Sequence, residues 1–247
     1  MASVKAMMDC IGIDTGGTVS VLFHLYGFFR ARVPTDPEPT ATAQVSLLEH
    51  IRALQDEFVN LNVIRVGIDN FAEDEIDRID YAVYKIRNIY ETRDLGVGRV
   101  EHYDITSADA NGRDDLGSPD EAEELTQEWT VPNDGLDVFV VDNISDTDFV
   151  GISPIDGPCD KDAKGWNGAI GGEVNRTWER VARTFAHETG HYLGLSHNHG
   201  DNCPTTAVGR ANLMAQTRCA DSDRDSVVLT TAQGNNVRDH CAVRDDC

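Results

Sequence analysis

Between His187 and His197 the chain reads H-E-T-G-H-Y-L-G-L-S-H, and no other stretch restricts its fold so tightly. His187 and His191 are four residues apart, so on an α-helix they project from one face and can grip one metal ion. Glu188 sits about 100° round the same helix. There it can reach a water at the metal without being a ligand. Gly194 is the residue best suited to a left-handed turn that ends the helix, and three residues on His197 can swing back to the same ion. Three imidazoles and one open position suit a catalytic zinc, with Zn–N bonds of about 2.0–2.1 Å.

This spacing, HExxHxxGxxH, resembles the metzincin clan of zinc endopeptidases. The local spelling H-E-x-G-H-x-L-G-L-x-H is most similar to matrixins and pappalysins. The resemblance implies a Met-containing turn beneath the metal, and Asn212-Leu213-Met214 lies at a suitable distance downstream. Met214 is expected to pack under the imidazoles without touching zinc. Cys219 and Leu229 to Gln233 resemble the pappalysin C-terminal half. Cys203 and Cys219 bracket the Met turn and are expected to pair. Three positions depart from the clan. Asn198 follows the third histidine where matrixins tend to carry Ser and adamalysins Asp, Gln216 replaces the Tyr of astacins and serralysins, and His199 offers a rival imidazole. Without that Tyr, the Met turn supplies no fifth ligand.

Along the chain, residues 18–33 alternate and then run apolar, which reads as a strand. Val45, Leu48, Ile51, Leu54 and Phe58 stand at helical spacing, predicting an amphipathic helix over 41–60. A short strand is expected at 63–68, a helix at 73–92, a strand at 98–105, an acidic helix near 119–129 and a central strand over 136–144. Strands alternating with helices argue for an α/β (α+β) fold with mainly parallel crossovers. The resemblance adds a twisted mixed sheet with an antiparallel edge strand beside the cleft, for which 147–153 and 165–173 are the candidates. Trp178, Val181, Ala182, Phe185, Ala186 and Leu193 form the apolar stripe of the zinc helix. Thr230 and Gln233 make a capping box for a last helix at 231–239. One catalytic domain over 1–247 is expected. Residues 1–197 would form its upper subdomain and 198–247 a loop-rich lower one.

A net charge of −22 argues against nucleic acid or an anionic membrane as partner. No apolar run approaches the ~20 residues of a membrane span. Cys10, Cys159, Cys203, Cys219, Cys241 and Cys247 form no C-x-x-C and suit disulfides. Cys241 and Cys247 could tie the tail, and Cys159 is expected in a disulfide, not as a thiolate on zinc. An oxidising, extracytoplasmic location follows. The first ten residues lack a signal-peptide pattern, so the chain reads as a mature or trimmed form. The runs Asp109–Asp115 and Asp221–Asp225 offer hard oxygen ligands to calcium, but neither completes an EF-hand and both are expected to be solvated turns.

The expected activity is peptide-bond hydrolysis on an extended protein or peptide substrate by a monomer, with one Zn2+ and Glu188 as general base. The resemblance also implies that the zinc helix and the segment after Met214 wall the pocket following the scissile bond. Two alternatives differ in class. A silent zinc-binding or adhesion module would have no need of Glu188, and a zinc amidase for a non-protein amide would cleave muropeptides but not casein.

Overall fold

The computed structural model describes residues 57–145, 149–161, 165–200 and 202–245. The strand expected at 18–33, most of the helix expected at 41–60, Cys10 and Cys247 lie outside them. The five strands of the main sheet and the longer helices are β1 (Glu57–Val66), α1 (Glu73–Glu91), β2 (Leu95–Ile105), α2 (Pro119–Glu128), β3 (Gly135–Val140), β4 (Gly151–Ile152), β5 (Gly168–Gly171), α3 (Trp178–Tyr192) and α4 (Thr231–Arg238). The sheet order is β2-β1-β3-β5-β4. β4 alone is antiparallel, paired with β5. This is the mixed α/β architecture expected.

β1 corrects one expectation. Residues 57–60 are strand, not the end of a helix. Phe58 and Val59 pair with Gly96 and Val97 on one side, while Asn60 pairs with Gly135 on the other. Phe58 also exchanges two backbone bonds of 2.8 Å with Arg244, so partners on both edges hold this stretch extended, and that outweighs helical spacing of the side chains.

Successive residues of β1 and β3 face opposite layers. Val63 and Val138 meet Ile79, Val83 and Ile86 of α1 and Val181 and Phe185 of α3. Ile64 and Phe139 meet Ala122 and Leu125 of α2 on the other side. α1 begins with Glu73, Asp74 and Glu75 against its positive N-terminal end. α2 is capped by Ser118 with Pro119 in its first turn.

The central strand stops at Val140. Beyond it Asp142 N–H donates to Asp114 O at 2.9 Å, and Asn143–Ile144 forms a separate parallel pair with Asp115–Leu116. The expected run to 144 is thus split by a change of partner. Both stretches offered for the edge strand are strands: Gly151–Ile152 is the antiparallel edge and Gly168–Gly171 its inner neighbour. Gly168 and Gly171 are needed because an added Cβ would lie 2.7 Å from the Phe139 ring and 2.8 Å from that of Phe185.

Candidate active site

α3 carries His187, Glu188 and His191 on buried turns, with Thr177 capping its first turn through Arg180 N–H. The helix ends as the sequence predicts. Gly194 has φ +88°, its N–H donates to His191 O at 2.9 Å, and Leu195 N–H donates to Gly190 O at 2.9 Å. This pair of bonds is the Schellman motif. It turns the chain so that His197 returns over the helix.

His197 Nε2 lies 3.2 Å from Nε2 of both His187 and His191. His187 Nδ1 donates to Leu213 O at 2.7 Å, and His191 Nδ1 donates to Leu195 O at 2.6 Å. Those bonds fix the tautomers, leaving Nε2 bare on both rings. Burial, reinforced by His191, holds His187 well below the usual imidazole range, and burial brings His191 to about 4. Bare nitrogens at such separations repel unless a cation lies between them, and His197 can give a proton to only one neighbour. The donor set therefore fits a zinc ion held by three imidazoles.

Glu188 is 6 % exposed, and burial pushes its carboxyl up to about 8 against the lowering pull of Arg183. It lies over the edge strand, where a Cβ on Gly151 would be 2.6 Å from Glu188 Cγ. The strand register matters here. Gly172 N–H donates to Val150 O at 3.0 Å, so in the alternating antiparallel ladder Gly151 is the next, unbonded position. Its N–H and C=O therefore point to the outer edge of the sheet.

Met214 is fully buried beneath α3, and a Cβ on Gly190 would meet its sulfur at 2.9 Å and Tyr90 Oη also at 2.9 Å. Gly190 thus lets both side chains approach the turn between the two histidines. Asn212 Oδ1 accepts from Met214 N–H at 2.9 Å, and the Asn212 and Gln233 amides exchange bonds of 2.8 and 3.0 Å. The capping-box glutamine of α4 therefore also clamps the Met turn.

Sequence reasoning passed over Arg183. Its side chain is 1 % exposed, donates to Ser226 O at 3.0 Å and Leu213 O at 3.1 Å, and also bonds Ala215 O. Leu213 O is shared with His187, so the guanidinium fixes the carbonyl that orients a zinc-site ring. The available signal was a charged residue four before His187, one helical turn from a ligand.

His199 is exposed and lies beside Gly209, apart from the triad. Cys203 pairs with Cys219 across the Met turn. Cys159 pairs with Cys241, which corrects the reading that Cys241 ties to Cys247. The loop carrying Cys159 is latched to the end of α3, because Tyr192 Oη donates to Pro158 O at 2.8 Å and Gly157 N–H donates to Tyr192 O at 2.7 Å. Carboxylates of both acidic runs bond other segments: Arg210 pairs with Asp221 at 2.6 Å, and Ser145 Oγ donates to Asp115 at 2.5 Å.

The family model of the M12 metallo-peptidases matches residues 62–237, most of the chain. The chain belongs to metallo-peptidase family M12. Family membership implies a zinc cofactor, which the imidazole geometry fits, and it places the metzincin-like motif in a metallopeptidase setting. No curated protein matches the chain. Among solved structures it is similar to metalloproteinase-II from Bacteroides fragilis, at 14 % identity and a TM-score of 0.49, over 76 % of this chain and 53 % of that one. A chaperone-substrate complex matches at 13 % identity and a TM-score of 0.48, over 76 % and 36 %. Archaemetzincin from Methanopyrus kandleri matches at 14 % identity and a TM-score of 0.45, over 73 % and 93 %. This M12 chain thus spans about half the length of the B. fragilis protein.

Proposed function

We propose that this chain is a zinc endopeptidase of metzincin type in which Glu188 moves the protons and an extended peptide lies along the outer edge of β4. The observation that carries the reading is that three imidazole nitrogens meet, while the buried carboxylate beside His187 lies against Gly151, whose backbone faces the outer edge of the sheet. His187, His191 and His197 would hold the ion. Zinc, when bound, supplies a Lewis acid for the scissile carbonyl and its attacking water, and its charge favours the Glu188 carboxylate.

Glu188 takes a proton from the water as it adds to the carbonyl carbon. It passes that proton to the leaving nitrogen as the C–N bond breaks. Gly151 N–H and C=O hold the substrate backbone beside it, giving affinity independent of sequence, while side-chain pockets set preference. Arg183 and Met214 keep the His187 ring and its helix in place from below. The two disulfides among the described residues support secretion into an oxidising compartment, and we read the chain as one catalytic domain acting as a monomer.

The test measures zinc content and casein cleavage for wild type and Glu188→Ala, with and without 1,10-phenanthroline. Both proteins should hold about one zinc per chain. The variant should cleave about 10²–10⁴-fold more slowly. A zinc-loaded wild type that cleaves neither casein nor a broad peptide library would overturn the reading.

A further inference from the structure

A cavity of about 470 Å³ opens where β4 ends. Glu123 of α2, Ser153 and Pro154 after the strand, Asp156 and Pro158 of the next loop, and Trp166 line it. Its described lining holds two carboxylates and neither Lys nor Arg. Asp156 is exposed, and Glu123 is half-buried with Gln127 Nε2 donating to it at 2.9 Å. The wall is held firmly to the zinc helix, since Asp156 N–H donates to His191 O at 3.0 Å and Tyr192 secures Pro158. The Cys159–Cys241 disulfide follows directly.

We propose that this cavity is a specificity subsite that accepts an arginine or lysine side chain on the amino-terminal side of the scissile bond. The inference rests on the peptidase reading and on the register of β4. Glu188 lies over Gly151, so the reacting carbonyl sits at that level of the strand. Antiparallel pairing is the more stable arrangement. A peptide so paired runs opposite to β4, and its residues facing Ser153 and Pro154 precede the reacting bond. At about 3.4 Å per residue, the cavity faces the residue two or three before that bond.

The lining suits a cation on a long stem. Trp166 in the lining suits a guanidinium or ammonium, the prolines suit its methylenes, and Glu123 and Asp156 supply acceptors. An acidic side chain there would meet two like charges.

The test uses a positional-scanning peptide library in two ways, as substrate for the wild-type enzyme and for retention on immobilised Glu188→Ala protein. Arg and Lys should be enriched at that position in both, with a rate ratio over Ala of about tenfold. In Glu123→Gln/Asp156→Asn the ratio should fall to about one. Circular dichroism checks that the variant is folded. Cleavage without a basic preference, or a preference that survives the double substitution, overturns the subsite. Basic-selective retention that the substitutions abolish, without any cleavage, upholds the subsite and overturns the peptidase reading. Neither retention nor cleavage overturns both.

Discussion

The two sides of the zinc helix are built by different physics. Above it, β1 and β3 are buried on both faces and packed by α1, α2 and α3 through regularly spaced apolar side chains. Below it, the described residues of 194–245 hold no helix longer than the eight residues of α4 and are fixed by side chains bonded to loop carbonyls and by Cys203–Cys219 and Cys159–Cys241. The ion site needs both. The upper side supplies His187, Glu188 and His191, and the lower side supplies His197, the Leu213 carbonyl and Met214. A loop-rich half can position a metal site when each carbonyl it presents has a buried donor.

The largest effect should come from cutting the longer of the two disulfides among the described residues, the one that joins the halves. Cys159→Ser/Cys241→Ser opens a loop with a sequence separation of 82, worth about 4.5 kcal/mol in the chain-entropy treatment. Cys203→Ser/Cys219→Ser, with a separation of 16, should cost about 3 kcal/mol. Urea denaturation of both variants tests the order. If the shorter link matters more, the lower half is held locally and not by its tie to the α3 end.

The upper half has its own weak point, and it is polar. Asp137 is fully buried and accepts from Lys161 Nζ at 2.6 Å, Asn62 at 2.7 Å, Thr130 at 2.8 Å and Val131 N–H at 3.0 Å. Asp137→Ala strands Lys161 and should cost about 4 kcal/mol. Unfolding should remain one transition, because β3 runs through the middle of the sheet. A separate early transition of residues 194–245 would break the picture of a lower half anchored on the upper one.

What the sequence revealed follows the same division. α1, α2, α3 and α4 were legible within a few residues, because the spacing of their apolar residues and the capping box at Thr230 and Gln233 mark them. The histidine spacing and Gly194 likewise named in advance the groups that the fold brings together. The lower half has no period to read. Its constraints are single contacts such as Arg183 with Leu213 O, and nothing in the sequence says which of the two arginines of α3 three distant carbonyls will surround. Cys159 meeting Cys241 depends on a loop path that cysteine spacing does not encode. The start of β1 was misread because a central strand is defined by its neighbours, not by its own side-chain pattern.

Arg183→Met tests the contact on which the two halves turn. It leaves Ser226 O, Ala215 O and a shared Leu213 O short of a buried donor, at a cost of about 3 kcal/mol. Zinc affinity should fall about 10–100-fold as His187 loses its fixed acceptor. Hydrogen exchange should rise in 213–217 while β1 and β3 stay protected. Unchanged zinc affinity would mean that Met214 and Asn212 alone shape the turn.

The smallest effect is a titration at the latch. His240 is 7 % exposed, its Nε2 donates to Gly157 O at 3.1 Å, and its Nδ1 accepts from Ala242 N–H at 3.1 Å. Burial holds its pKa below the ordinary 6.5, against the raising effects of the Gly157 bond and Asp156. Once unfolded, the ring takes a proton as pH falls through 6.5, while the native ring resists until lower pH. Its neutral form therefore favours the native state above pH 6.5, and this contribution declines as the solution is acidified below that value. In zinc-saturated protein, where the triad is occupied, the fall in urea stability from pH 7 to 5 should be shallower in His240→Gln, whose amide can still donate to Gly157 O. Equal slopes would show that the acid sensitivity of this fold lies elsewhere, and that the latch is held by Tyr192 and the disulfide without help from the imidazole.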